Sequence, residues 1–144
     1  MNVKEQIKNY IAEQSEPKRS EIQKLHKQIL QALPKCKLWF FDGKNEKNET
    51  VAYPTIGYGS YIITYTDGKT REFFQIGMGA NKTGIFVHIL GIKDKTYLAR
   101  TYGKKLGKAS IGVYAVKFKT LKDINIEILE EAILDGVSIS NEKE

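Results

Sequence analysis

The sequence predicts an α+β fold with two layers, in which an antiparallel sheet of about five strands is covered by N-terminal and C-terminal helices. The stretch 57–91 supplies most of the sheet, because it contains three runs of β-branched and aromatic residues that two turns separate. The chain before position 34 and after position 125 supplies the main helices, since apolar residues recur there at helical spacing. Helices segregated from a run of antiparallel strands are typical of this fold class.

Length and composition indicate one domain over residues 1–144, with 138–144 as a polar, frayed tail. The formal net charge of +6 permits attraction to anionic partners. Cys36 is the single cysteine, so no intramolecular disulfide can form, as is usual in a reducing cytosol. Residues 1–14 are charged and lack the apolar core of a signal peptide, and no apolar run is long enough to span a membrane. We therefore expect a cytoplasmic protein that does not contact membranes.

Two amphipathic helices are expected before Pro34, which ends the second because the residue before a proline avoids the α region. The first helix is predicted from one apolar stripe: Val3, Ile7, Tyr10 and Ile11. The second helix is predicted to have Ser15 as its N-cap and to bury its own stripe of Ile22, Leu25, Ile29 and Leu33.

The sheet is predicted to begin with a short aromatic strand over 37–41 and to continue as a three-strand meander. Asp67-Gly68 favours a type I′ hairpin turn, and 79–82 is expected to form the second turn. The glycines of Gly77-Met78-Gly79 fit strand ends and a turn. Alternation places one set of apolar side chains in the core: Ile63, Phe74, Ile76, Ile85, Val87, Ile111 and Val113.

The remaining elements are a short helix over 96–102, a basic loop, one strand and a final helix. The strand is predicted as a single run over 111–118, because apolar residues alternate along it. The final helix is predicted from the stripe Ile126, Leu129, Ile133 and Leu134, with Gly136 as its C-cap.

Four segments carry a resemblance to a known family. They are the helix pair YIAEQSEPKRSEIQKLHKQI, the hairpin around 58–61 and 67–69, the strands 74–77 and 85–89 with Lys82, and the closing run of 107–110 and 116–124. Nearly the whole chain resembles the YdhG-like family, domain of unknown function family 1801. The resemblance implies a YdhG-like α+β domain. It implies no particular activity, because the family has no established general one.

The clearest candidate binding site is the basic loop, where Lys104, Lys105 and Lys108 are held between two glycines. Converging ammonium groups bind phosphates and other anions as point charges. Four side chains are expected to line one wall of the site if the open side of the sheet meets this loop: Tyr58, Tyr61, His88 and Tyr114. A plain solvated basic surface is the alternative interpretation.

An acidic face on the last helix offers a different site, since Glu127, Glu131 and Asp135 follow one another at four-residue spacing. Carboxylates in this arrangement would bind a hard or ferrous cation weakly. The alternative is again a solvated outer face. No P-loop, zinc-ligand spacing or nucleophile–base pair is evident, and Cys36 is expected to be a passive thiol whose pKa the flanking lysines lower slightly.

These features favour a non-enzymatic binding module for an anionic ligand or a protein partner, with no cofactor. Nucleic acid is a possible partner but not the favoured one. The alternative, which uses the acidic helix, is a metal-handling accessory protein that resembles frataxin and handles iron. An enzyme of unspecified reaction is the third hypothesis, because no catalytic group is evident in the sequence.

Overall fold

The computed structural model describes residues 2–141 and confirms the α+β fold. Within those residues the chain forms four α-helices, one short 3₁₀ helix and six strands. In chain order they are α1 (Val3–Ala12), α2 (Lys18–Ala32), β1 (Leu38–Phe41), β2 (Thr55–Thr64), β3 (Thr70–Asn81), β4 (Gly84–Ile89), α3 (Tyr97–Tyr102), β5 (Ser110–Ile111), β6 (Ala115–Phe118), the 3₁₀ helix (Leu121–Asp123) and α4 (Ile126–Asn141).

All six strands form one open antiparallel sheet in the order β1-β2-β3-β4-β6-β5. One side of the sheet faces α1, α2 and α4 and forms the core. The strand residues that point into it are apolar and almost fully buried: Ile56, Ile76, Met78, Ile85, Val87, Ile89 and Val116. The opposite side, here called the open face, carries no helix among the described elements.

The predicted helical stripes pack against this core, except that Leu134 is 40% exposed and its predicted burial is wrong. The stripe residues that are almost fully buried are Ile7, Tyr10, Ile11, Ile22, Leu25, Ile29, Leu129 and Ile133. Tyr10 also contributes a polar contact, because its hydroxyl accepts a hydrogen bond from the Ala80 backbone N–H at 3.0 Å. None of the helices within residues 2–141 is both long and apolar enough to cross a membrane.

The prediction of one strand over 111–118 is wrong. The segment folds back on itself as β5 and β6, which pair in antiparallel register through Ile111 and Val116. The turn between them is closed by a hydrogen bond from the Gly112 N–H to the Ala115 carbonyl at 2.9 Å. Val113 lies in this turn and is 46% exposed, so its predicted place in the core is wrong as well.

The two hairpin turns also differ from prediction. A type I′ turn needs positive φ at both central residues, but between Tyr65 and Lys69 only Gly68 has positive φ, at 87°. The Gly68 N–H donates to the Tyr65 carbonyl, and Tyr65 N–H donates to the Lys69 carbonyl, which is a three-residue loop with a glycine bulge. In the second hairpin, β3 continues to Asn81, so Gly77 and Gly79 lie inside the strand rather than at its end.

The helix ends differ at two predicted caps. At the start of α2, the side chain that accepts a backbone hydrogen bond is that of Glu16 and not that of Ser15. The Glu16 carboxylate accepts from the Ser20 N–H at 3.2 Å. Gly136 does not end α4, which continues to Asn141. The tail predicted to fray from 138 is therefore helical as far as 141, and residues 142–144 lie outside the described part of the chain.

Candidate functional site on the open face of the sheet

A single cross-strand row runs over the open face. The register pairs Trp39 with Gly57, Gly57 with Gly77, Gly77 with His88, and His88 with Ala115. Residues that pair directly in an antiparallel sheet project from the same side. The row therefore places the indole of β1 and the imidazole of β4 on one surface, with two glycines between them.

The glycines of the row leave room for aromatic rings that lie flat on the sheet. A Cβ at Gly57 would come within 2.6 Å of the Phe74 Cβ, and one at Gly77 within 2.8 Å of the Phe74 Cε1. Gly79, which lies outside the row, is covered by both a backbone segment and a ring, because a Cβ there would come within 2.6 Å of the Pro54 carbonyl oxygen and 2.7 Å of the Phe86 Cζ. Both phenylalanines are only 4% exposed although they lie on the open face. Phe74 is buried as predicted, but on the open face, against Gly57, Gly77 and the Phe73 ring rather than against the helices.

Other rings extend this surface in both directions. Near β1, the Phe73 ring lies 4.1 Å from that of Phe74 and 6.3 Å from that of Trp39. Near β6, the His88 ring lies 4.9 Å from that of Phe86 and 5.0 Å, edge-on, from that of Tyr114. We call these six residues the aromatic row: Trp39, Phe73, Phe74, Phe86, His88 and Tyr114.

Positive charges flank the aromatic row. The Lys37 ammonium lies 4.3 Å from the centroid of the Trp39 ring, and the Arg71 guanidinium carbon lies 4.7 Å from that of Phe73. At the other end, Lys117 pairs with Phe86 across β4 and β6 and is exposed. Lys37 also forms an exposed salt bridge of 3.4 Å to Glu72. A surface of rings with cations beside them is suited to ligands that combine flat apolar groups with negative charge.

His88 is a neutral part of this surface at pH 7. Burial lowers its pKa from the ordinary value of 6.5, and the nearby charge of Lys117 lowers the pKa further. Both effects disfavour the imidazolium form. His88 therefore offers a ring and one N–H donor rather than a fourth positive charge.

The structure brings together only two of the four side chains predicted to line a wall, His88 and Tyr114. Tyr58 is fully buried on the helix side, where its hydroxyl lies 2.6 Å from His26 Nδ1, so the prediction that it lines a surface wall is wrong. Tyr61 also lies on the helix side, since its ring is next to Gly91 and Ser140 of α4. The positive φ of 70° at Gly59 breaks the alternation between these two tyrosines.

The basic loop lies between α3 and β5, and Lys104, Lys105 and Lys108 are all exposed. Its glycine at 107 approaches the protein rather than a ligand, because a Cβ there would come within 2.5 Å of the Asp123 carbonyl. Leu106 anchors the loop and is 1% exposed. The loop is continuous with β5, whose Ser110 pairs with Lys117.

The acidic residues of α4 do not share one environment. Glu127 and Glu131 are exposed, whereas Asp135 is half-buried and accepts hydrogen bonds from the hydroxyls of Tyr97 and Tyr102. Across residues 2–141, no group of three or more His, Cys, Asp or Glu side chains is placed to hold a metal ion. The hydrogen bonds to Asp135 give this carboxylate a structural role between α3 and α4.

Cys36 does not have the lowered pKa expected from the flanking lysines. The thiol is half-buried, and burial raises its pKa, although a backbone hydrogen bond from Gly59 acts in the other direction. Lys37 is directed to Trp39 and Glu72 instead. A raised pKa reduces the thiolate fraction, which fits the predicted passive thiol.

Sequence reasoning missed most of the aromatic row, including Trp39, Phe73, Phe74 and Phe86. A signal was present, because glycines at 57 and 77 interrupt strands that are otherwise rich in large residues. Glycine inside a strand often marks a close approach of another group. The partners of those glycines are on other strands, and their identity follows only from the register.

Comparisons with family models, with curated proteins and with solved structures found no match. The resemblance to the YdhG-like family therefore stays a prediction. The functional argument rests on the geometry of the open face.

Proposed function

We propose that this protein is a non-enzymatic binding module whose open face binds an anionic ligand that carries planar rings, with single-stranded nucleic acid as the ligand class. The observation that carries the proposal is the cross-strand row that the sheet register forms from Trp39 through Gly57 and Gly77 to His88. It sets aromatic groups on an antiparallel sheet that no described helix covers on that side.

The first step of the argument concerns stacking. Every unpaired base has a π-face, and stacking on an aromatic side chain contributes about 1–3 kcal/mol per base. Tyr114 is 46% exposed, and Trp39 and His88 are half-buried, so each leaves part of a ring accessible. The rings of Phe74 and Phe86 are more deeply set and form the support beneath.

The second step concerns charge. Lys37, Arg71 and Lys117 flank the rings, and the basic loop with Lys104, Lys105 and Lys108 continues from the neighbouring edge strand. Cations that neutralise phosphates release counterions, so binding of this kind weakens as salt rises. The net charge of +6 acts in the same direction over longer distances.

Binding without catalysis is supported by the surroundings of the candidate reactive groups. His88 contacts the rings of Phe86 and Tyr114, and His26 contacts Tyr58. Within the described residues, neither imidazole forms a hydrogen bond to a serine, threonine or cysteine side chain. A nucleophile needs such a base within hydrogen-bond reach.

The test uses intrinsic fluorescence, because Trp39 is the only tryptophan in the chain. Oligothymidylate should quench Trp39 on binding, with an affinity that falls between about 50 and about 200 mM salt. Tyr114→Ala should weaken binding roughly tenfold, in line with the loss of one stacked base. Tyr65→Ala is the matched control, since Tyr65 is 44% exposed at a hairpin turn away from the row.

Two further measurements separate this proposal from the prediction based on the loop. Heparin carries charge but no bases, so it should bind more weakly than oligothymidylate. Tyr114→Ala should change the affinity for heparin only slightly. Replacing Lys104, Lys105 and Lys108 by Gln should abolish binding of both polyanions if the loop is the site. Absence of quenching at low salt, or equal affinities for wild type and Tyr114→Ala, would overturn the proposal.

A further inference from the structure

A concave surface lies in the groove between α1 and α2, on the helical side of the molecule. The groove has a volume of about 390 Å³. Pockets that hold small organic ligands commonly have volumes of about 300–1,000 Å³. The groove is separated from the open face by the sheet and the core.

The rim of the groove is strongly basic. Lys4 and Lys8 project from α1, and Arg19 and Lys27 project from α2. Arg19 forms an exposed salt bridge of 3.1 Å with Glu16, and within the described residues none of the three lysines forms a salt bridge. None of the described residues that line the groove is an aspartate or a glutamate. The charge of the groove is therefore complementary to an anion.

The repeated charge has a cost for the first helix. Lys4 and Lys8 are four residues apart, so their ammonium groups lie on one face and repel each other. An anion between the helices would relieve this repulsion. The same anion would also be attracted to Lys27 on the opposite rim.

Between the basic residues, the lining of the groove is apolar except for the imidazole of His26 and the exposed amide of Gln23. Ile7, Ile11 and Ala12 contribute apolar surface from α1, and His26 contributes its ring from α2. His26 Nδ1 lies 2.6 Å from the hydroxyl of Tyr58, which is fully buried. When this hydroxyl donates to Nδ1, the imidazole proton is on Nε2, and Nε2–H is the donor that remains for a ligand.

We propose that the groove between α1 and α2 is a binding site for a small organic phosphate, with the phosphate held by Lys4, Lys8 and Lys27 and the apolar part resting on Ile7 and Ile11. The phosphate chemistry follows from three lysines that line one groove whose lining contains no carboxylate. The apolar part follows from the apolar lining. The site goes beyond the proposed function, because it uses no residue of the open face.

The experiment titrates the full chain with phenyl phosphate and follows amide and histidine ring signals by NMR. We expect saturable shifts in α1 and α2, together with a change at the ring nitrogens of His26. Lys8→Gln combined with Lys27→Gln should weaken binding at least tenfold and leave the fold intact, because exposed charges contribute little to stability. Lys104→Gln combined with Lys105→Gln is the control with the same charge change.

Two further probes test the parts of the proposal separately. Inorganic phosphate lacks the apolar part and should bind more weakly than phenyl phosphate, while benzyl alcohol lacks the charge and should leave the spectrum unchanged. Equal affinities in the two double variants, or benzyl alcohol binding as well as phenyl phosphate, would overturn the proposal. Oligothymidylate quenching of Trp39 is measured on the same variants. It should be unaffected by the groove substitutions, so failure at one site is distinguishable from failure at the other.

Discussion

Gly136 of α4 lies directly on Ile89 of β4, so closely that a Cβ on the glycine would come within 2.4 Å of the Ile89 Cγ2. Ile89 is fully buried and has little freedom to move aside. The same glycine accepts a hydrogen bond at its carbonyl from the Gln75 side chain at 3.3 Å. The contact explains why a residue with poor helix propensity lies in the middle of the longest helix.

Gly136→Ala is expected to destabilise the protein, although alanine is the better helix former by about 1 kcal/mol. Overpacking a tight core costs about 1–3 kcal/mol, so a net loss of up to about 2 kcal/mol should remain. Chemical unfolding measures this change. Ser138→Ala, at an exposed position of the same helix, should be neutral or slightly stabilising. A gain in stability for Gly136→Ala would show that α4 can move away from the sheet.

Asp135→Asn should weaken the packing of α3 on α4. The Asp135 carboxylate accepts a hydrogen bond from the Tyr102 hydroxyl at 2.7 Å and another from Tyr97. Hydrogen bonds to charged groups contribute about 1.5–3 kcal/mol, and the amide still offers one oxygen, so a loss of about 1–2 kcal/mol is expected. Glu127→Gln is the control at an exposed position of the same helix and should stay within about 0.5 kcal/mol of wild type.

The same variant has a spectroscopic signature. Burial raises the pKa of Tyr102, and its hydrogen bond to Asp135 raises that pKa further, while the hydrogen bond to Asp135 is the main cause of the raised pKa of Tyr97. Asp135→Asn should therefore let both tyrosines ionise at lower pH, seen as tyrosinate absorbance in an alkaline titration. A titration curve identical to that of wild type would contradict the assigned hydrogen bonds.

Stability should fall as the pH drops below neutrality. Burial lowers the pKa of His26 and of His88 from the ordinary value of 6.5, and Lys117 adds to the effect at His88. Between the folded pKa values and 6.5 the unfolded chain binds more protons than the folded chain, so the free energy of unfolding rises with pH in this window. The stability that the neutral imidazoles contribute is fully present above pH 6.5. It is lost as the pH falls from 6.5 through the pKa values of the folded state.

Thermal unfolding between about pH 7.5 and about pH 5 measures this dependence, with at most one proton per histidine contributing to the slope. The exposed carboxyls with lowered pKa, those of Glu16, Glu72 and Asp94, affect stability at more acidic pH and so contribute only toward the lower end of this range. His26→Gln and His88→Gln should each reduce the slope. A slope that persists in the double variant would assign the dependence to other groups.

The sequence predicted those parts of the fold that depend on local periodicity. The stripes of α1, α2 and α4 are visible as apolar residues at helical spacing, and strand alternation correctly placed Val87 and Ile76 in the core. The hairpin of β5 and β6 was not predictable from alternation. The sequence 111–118 shows the same alternation of apolar residues whether the strand is continuous or folds back at Gly112.

The candidate site was less predictable, because its residues are joined by strand register rather than by spacing. Trp39 and His88 lie in one cross-strand row only because Gly57 and Gly77 pair between them on the two intervening strands. Tyr58 was misplaced because the buried partner of its hydroxyl, His26, is on a distant helix. The alternation that would have separated Tyr58 from Tyr61 is reset at Gly59, whose positive φ the sequence does not reveal.

Cys36 should react slowly with thiol reagents in the folded protein. Burial raises the pKa of its thiol, so the thiolate, which is the reactive form, is scarce near neutral pH. We expect its reaction with Ellman's reagent to be several-fold slower than that of the same thiol in the unfolded chain. Lys35→Gln should change the rate little, because burial rather than lysine charge sets the pKa. A folded-state rate equal to the unfolded one, or a marked slowing in Lys35→Gln, would instead indicate a thiol that the flanking charge activates.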